Sequence, residues 1–160
     1  MGNPKTTTDR VAAWIATAGG AGFLPKAPGT AGSAVGVLLY LIMDAAGMGA
    51  WFVHAILFFF FAGILAAQRV ETFWGHDSQR IVIDEVVGQM IAFSSVGMAR
   101  HSWVSVVTGF ALFRVFDIVK PFPVRYLERL PGGAGVIADD VGAGLYALAT
   151  LTLLRQAFGI

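Results

Sequence analysis

At 160 residues, with 56% hydrophobic and only 13% charged side chains and a mean hydropathy of +0.70, the chain is far more apolar than soluble domains, in which roughly a quarter of residues are charged. A single domain in a membrane is therefore expected, and a net charge of +1 supplies neither a basic field for nucleic acid nor an acidic one. The lack of cysteine excludes disulfides and thiolate metal sites, so a metal would need oxygen ligands or one of His54, His76 and His101, which favours a hard cation such as Mg²⁺.

Residues 1–10 are polar and are expected to fray, and the ten that follow lack the uninterrupted apolar core and cleavage site of a signal peptide. Residues 19–33 are too rich in glycine and proline for regular structure, and Thr30 and Ser33 stand ahead of an apolar run as helix N-caps do. No Gly-Lys-Thr/Ser closes this loop and Gly20-Ala21-Gly22 lacks a third glycine, which argues against a nucleotide site. Five apolar segments follow, at about 31–43, 50–67, 82–99, 103–119 and 136–154, several near the ~20 residues that a spanning helix needs. The first is short enough to be re-entrant or interfacial. Period-two alternation is absent, and Ala, Leu, Met and Gly dominate. The expected fold is thus all-α, a compact integral-membrane bundle of four to five hydrophobic helices forming one domain over 1–160.

Lys and Arg are retained in cytoplasmic loops, which tests orientation. If all five segments span and the N-terminus is inside, Lys5, Arg10, Lys26, Arg69, Arg80, Lys120, Arg125 and Arg129 fall on the cytoplasmic side, and only Arg100 and Arg155 outside. The same threading gathers the 28–33 loop, the start of the third segment, the end of the fourth and the start of the fifth at the cytoplasmic end.

That end collects charges that apolar sequence tolerates only when they are paired, hydrated or metal-bound. Asp84 and Glu85 open the third segment. Acids there suit a helix N-terminus, for about half a kcal/mol, but two adjacent ones between Ile83 and Val86 exceed that need. Arg114 and Asp117, spaced i, i+3, share a helix face, which a structural ion pair alone would explain. Lys120 precedes Pro121, which ends the helix. Asp139 and Asp140 open the last segment ahead of Gly142 and Gly144, whose small size suits close helix packing. Five carboxylates from three helix ends, with Arg114, Lys120 and the Gly29-Thr30 backbone nearby, form an oxygen-ligand cage suited to one or two Mg²⁺ facing a phosphate. Ser33, Ser94, Ser95 and Ser102 have no inferable His–Asp partner, His54 and His101 fall near the outer ends, and His76, beside Asp77, reads as a surface-loop residue in preference to a proton-transfer group.

Residues 24–33, 83–88, 113–123 and 132–144 occur in this order over about 120 residues. Their sequences, Leu-Pro-Lys-Ala-Pro-Gly-Thr-Ala-Gly-Ser, Ile-Asp-Glu-Val-Val-Gly, Phe-Arg-Val-Phe-Asp-Ile-Val-Lys-Pro-Phe-Pro and Gly-Gly-Ala-Gly-Val-Ile-Ala-Asp-Asp-Val-Gly-Ala-Gly, resemble the four signature blocks of the phosphatidylglycerophosphatase A family. The resemblance implies an Mg²⁺-dependent enzyme of phospholipid biosynthesis. Such an enzyme removes the terminal phosphate from the phospholipid phosphatidylglycerophosphate, giving phosphatidylglycerol at the inner face of a bacterial cytoplasmic membrane. It further implies Asp84, Glu85, Asp117, Asp139 and Asp140 as the acidic catalytic set, with Asp84, Glu85, Asp139 and Asp140 as metal ligands and Thr30, Arg114 and Lys120 as phosphate contacts. Two other readings compete. Ion- or proton-coupled transport by the same acids would spread polar groups through the bilayer, and the outer halves of these segments offer few. A purely structural subunit would show altered assembly but no turnover to lose on substitution of the acids.

Overall fold

The computed structural model describes residues 2–75, 78–94, 102–128 and 130–159. Seven α-helices run through them: α1 (Thr7–Ala16), α2 (Pro28–Ala45), α3 (Phe52–Trp74), α4 (Ile83–Ala92), α5 (Trp103–Val119), α6 (Val124–Leu127) and α7 (Gly133–Phe158). Short 3-10 turns at Ala21–Phe23 and Gly49–Trp51 lead into α2 and α3, and no strand occurs among the described residues, so the all-α expectation holds. His76, Asp77, His101, Arg100 and Arg129, and the end of the expected 82–99 segment, lie outside the described residues.

Several boundaries differ from the sequence reading for physical reasons. Residues 7–10 are helical rather than frayed, because Thr6 and Asp9 form a capping box: the Thr6 hydroxyl accepts from the Asp9 N–H and Asp9 accepts from the Thr6 N–H. The Asp9 carboxylate then pairs with Arg69 of α3 at 2.7 Å, which ties the N-terminal segment to the bundle. α2 begins before Thr30 and Ser33, at Pro28. Proline suits the first helical position because its missing N–H would be unpaired there anyway. Neither Thr30 nor Ser33 caps the helix: Ser33 instead donates back to the Gly29 carbonyl at 3.0 Å. The earlier start lengthens α2 to 18 residues, about 27 Å at 1.5 Å per residue. α2, residues 49–74 and α7 are each long and apolar enough to cross a membrane. α4, at ten residues, is not, so among the described residues three helices have that length and composition where the sequence reading offered five apolar segments.

α4 is instead the buried axis of the bundle. Ile83, Val86, Val87, Gly88, Gln89, Met90 and Ala92 are all buried, because α4 is enclosed by α2 on one side and α7 on another. Glycine makes the approach possible. A Cβ on Gly32 would sit 2.7 Å from the Val82 carbonyl oxygen, and one on Gly36 would sit 2.8 Å from the Gln89 Cβ. Further along α4, Tyr40 of α2 stacks on Phe93 with ring centroids 4.7 Å apart, an arrangement worth ~1 kcal/mol beyond the area it buries. The outward surface is apolar as well: Val53, Leu57, Phe58, Phe61 and Leu65 of α3 are exposed along one stripe, as a lipid-facing helix requires.

Candidate active site

A cavity of about 670 Å³ opens at one end of the bundle. It is lined by the first turns of α2 and α4, the last turns of α5, the first three turns of α7, and Lys120 and Glu128 from the connection between α5 and α7. Every site residue expected from sequence lines it: Thr30, Asp84, Glu85, Arg114, Asp117, Lys120, Asp139 and Asp140. Convergence follows from helix direction. α2, α4 and α7 start at this end and α5 finishes there, so residues far apart in sequence meet where four helix ends come together.

Asp84, Glu85 and Asp140 form the centre. Each offers one carboxylate oxygen, and the three oxygens lie within 4.8 Å of one another. Asp84 and Asp140 are buried, and the Asp84 carboxylate also accepts from the Glu85 N–H at 3.1 Å. Glu85 Oε2 is buried with no hydrogen-bond partner. Gly29 lies so close to the Glu85 carboxylate that a Cβ there would collide with Oε1, which explains why α2 presents glycine at that point. Three carboxylates this close repel one another in a medium of low dielectric constant, a repulsion that a shared proton or a cation between them relieves. The residues present fit a hard divalent ion: all-oxygen donors, clustered, with one oxygen atom unclaimed.

The other acids are engaged by cations of the chain. Arg114 Nη1 pairs with Asp117 at 2.7 Å and donates to Ser33 at 3.3 Å, so the guanidinium bridges α5 and α2. Asp117 also lies beside Asp140, linking this pair to the acidic centre. Lys120 donates to Asp139 Oδ2 at 2.7 Å and also pairs with Glu128. Burial would lower the Lys120 pKa, but the hydrogen bonds to Asp139 and Glu128 outweigh it and hold the ammonium above its ordinary range. Lys120 reaches both acids because it ends α5 in a left-handed conformation, φ +47, that turns the chain back across the pocket.

Two features depart from the sequence reading. Asp139 and Asp140 do not open the last helix. α7 starts at Gly133, where glycine lets the backbone press against the Ile64 carbonyl, and this places the two aspartates in its second and third turns. Consecutive residues on a helix point about 100° apart, so Asp140 faces Asp84 and Glu85 while Asp139 faces Lys120. Glu128 was not anticipated. Its only sequence signal is an acid in a polar connection, which does not reveal that the chain folds back onto Lys120. Among the described residues the titratable groups of the cavity are six carboxylates and two cations, all at one end of the bundle.

Comparison with known proteins places this sequence in a family. The pattern described as phosphatidylglycerophosphatase A matches residues 14–155, a span that includes every residue of the acidic centre. A protein of Bacteroides thetaiotaomicron, named provisionally as a phosphatidylinositol-3-phosphatase, is 42% identical over 150 residues, covering 91% of this chain and 94% of its own. Phosphatidylglycerophosphatase A of Haemophilus influenzae is 37% identical over 136 residues (84% of this chain, 82% of that one), and its Escherichia coli counterpart 30% over 138 residues (86% and 79%). No solved structure matches the chain significantly. Over nearly its whole length, then, and with its clustered acids inside the matched span, the chain belongs to the phosphatidylglycerophosphatase A family.

Proposed function

We propose that the protein is a Mg²⁺-dependent lipid phosphatase that hydrolyses phosphatidylglycerophosphate to phosphatidylglycerol and phosphate during phospholipid biosynthesis. Its setting is a bacterial cytoplasmic membrane with the cavity facing the cytoplasm. The observation that carries this reading is the triad Asp84, Glu85 and Asp140 at the floor of a polar cavity, at one end of a bundle with three helices long enough to cross a membrane. Asp84, Glu85 and Asp140 would hold the metal, with Asp139 next to Asp140 and paired with Lys120. When bound, a divalent ion there supplies Lewis-acid polarisation of a phosphoryl group and lowers the pKa of water.

The chain's own residues supply the rest. Arg114 commits Nη1 to Asp117 and Ser33, which leaves other N–H groups of its planar fork for phosphate oxygens. The N–H groups of Gly29 and Thr30 lie in the first turn of α2, where no intrahelical acceptor exists, and they border the same cavity. Lys120 stays charged between Asp139 and Glu128 and adds positive potential at the rim. Placing phosphate recognition at the end of the bundle suits a substrate whose acyl chains remain in the bilayer while its terminal phosphate reaches the acids.

The test is phosphate release by the purified protein from phosphatidylglycerophosphate, phosphatidylinositol 3-phosphate and a water-soluble phosphate ester, each with Mg²⁺ and with chelator. Selective release from phosphatidylglycerophosphate, abolished by chelation, is expected. Undiminished release in chelator would remove the metal from the proposal, and preference for the inositol lipid would change the substrate.

A further inference from the structure

We infer that α1 and the turn that follows it form an in-plane docking surface for the headgroup–acyl boundary of the bilayer, beside the mouth of the cavity. The inference concerns how the protein sits in the membrane and does not depend on which phosphate ester it hydrolyses.

α1 is too short to span, yet it is two-faced. Asp9, Ala12, Ala13 and Ala16 are buried against the bundle, while Val11 and Trp14 point outward, Trp14 with 66% of its surface exposed. The turn that follows continues the patch: Phe23 is 57% exposed and Leu24 is exposed beside it. Basic residues flank these apolar ones. Lys5, Arg10 and Lys26 are exposed, and the acid on α1, Asp9, is buried and committed to Arg69. An apolar stripe bordered by cations is the pattern of helices that lie at an anionic lipid surface.

The placement argues for lipid as the occupant rather than a protein. Phe23 packs edge-on against Trp74, the last residue of the second span, at 6.0 Å, and Arg80 lies over both rings at 5.9 and 5.6 Å. The turn after α1 therefore sits level with the end of a membrane-length helix, and the Asp9–Arg69 pair holds α1 against the last turns of the same helix. The Val82 N–H donates to the Ala16 carbonyl at 2.8 Å, joining α1 to the start of α4 and hence to the cavity, whose rim includes Pro25 and Ala27. Tryptophan supplies an independent marker, since its amphipathic ring favours membrane interfaces. Three of the four tryptophans are exposed. Trp51 and Trp103 mark the far end, where α3 and α5 begin, and Trp14 marks the cavity end.

The absence of native cysteine makes the test direct. Single variants Val11→Cys, Phe23→Cys and Lys26→Cys, each carrying a nitroxide, are reconstituted in vesicles of mixed zwitterionic and anionic phospholipid. Accessibility is then measured to oxygen, which concentrates in the bilayer, and to a water-soluble nickel chelate. Helical circular dichroism confirms that each variant is folded. Labels at 11 and 23 are expected at a shallow acyl depth, with oxygen favoured over nickel, and the label at 26 at the headgroup level. Nickel accessibility at 11 and 23 equal to that of a label in water would overturn the inference. So would exclusion of both reagents with dipolar broadening between labels, which would mean that a second copy covers the patch.

Discussion

Asp139 and Asp140 are neighbours in the chain but differ in their contacts, because the helix turns one toward Lys120 and the other toward Asp84 and Glu85. Substitution by asparagine keeps shape and removes charge, so the two variants separate these roles. Asp140→Asn takes one of three clustered oxygen donors from the site, and turnover is expected to fall by ~10³ or more even at saturating substrate. Asp139→Asn leaves the triad intact and loosens Lys120, which Glu128 still holds, so a fall of roughly 10- to 100-fold is expected, the size of effect seen when a supporting partner of a metal site is lost. Direct Mg²⁺ titration by calorimetry should show weakened binding in the first variant and near-native binding in the second. Equal losses in both measurements would mean that Asp139 is a ligand rather than a support for Lys120.

At the scale of elements, α4 and α1 show two ways of being held. α4 depends on glycine, and the Gly144 backbone is pressed against the Gly88 carbonyl so that no Cβ fits between them. Gly144→Val should therefore destabilise the bundle by about 1–3 kcal/mol, the usual cost of overpacking, read as a lower thermal midpoint in detergent. α1 depends on charge. The Thr6 backbone N–H, with the Thr6 hydroxyl, Arg69 and the Lys5 N–H, outweighs desolvation and lowers the Asp9 pKa from 3.8 to about 2. A folded-state pKa below the unfolded one gives stability that is present above about pH 4 and is lost as pH falls through about 2. A nitroxide on Thr8→Cys should accordingly become mobile between these limits, and in an Asp9→Asn background it should be mobile already at neutral pH. A label that stays immobile in that background would show that apolar packing alone holds α1.

For the whole molecule, the direction of the helices sets the sidedness of the chemistry. α2 leaves the cavity end and α3 returns to it, so residue 47 lies at the opposite end from residue 131. Lys26, Arg80, Lys120 and Arg125 cluster around the cavity end, whereas Arg155 is near the end of α7, which leads away from it. With basic residues retained inside, Pro131→Cys should react with a membrane-impermeant maleimide only from the cytoplasmic side and Gly47→Cys only from the other. Labelling of residue 131 from outside would reverse the orientation.

The apolar composition and the lack of period-two alternation pointed to an all-helical, strongly apolar bundle, and the described residues are helical with three helices long and apolar enough to cross a membrane. The charged residues of the cavity other than Glu128 were legible too, since charges in apolar sequence stand out by the cost of keeping them there. What the linear pattern could not show is pairing. Whether Asp139 meets a metal or Lys120, and whether Glu128 faces solvent or the site, depends on the start of α7 and on the turn at Lys120, and hydropathy does not register a few residues of helix phase. Nor could it show that the 82–99 segment yields a short buried axis. A helix surrounded by protein and one surrounded by lipid can be equally apolar, and the ten-residue length of α4 with the close approach at Gly32, Gly36 and Gly144 distinguishes them. Residues 7–10 were misread for the converse reason. Thr6 and Asp9 cap the helix, and Asp9 pairs with Arg69, sixty residues away, a long-range partner that exists only once the chain has folded.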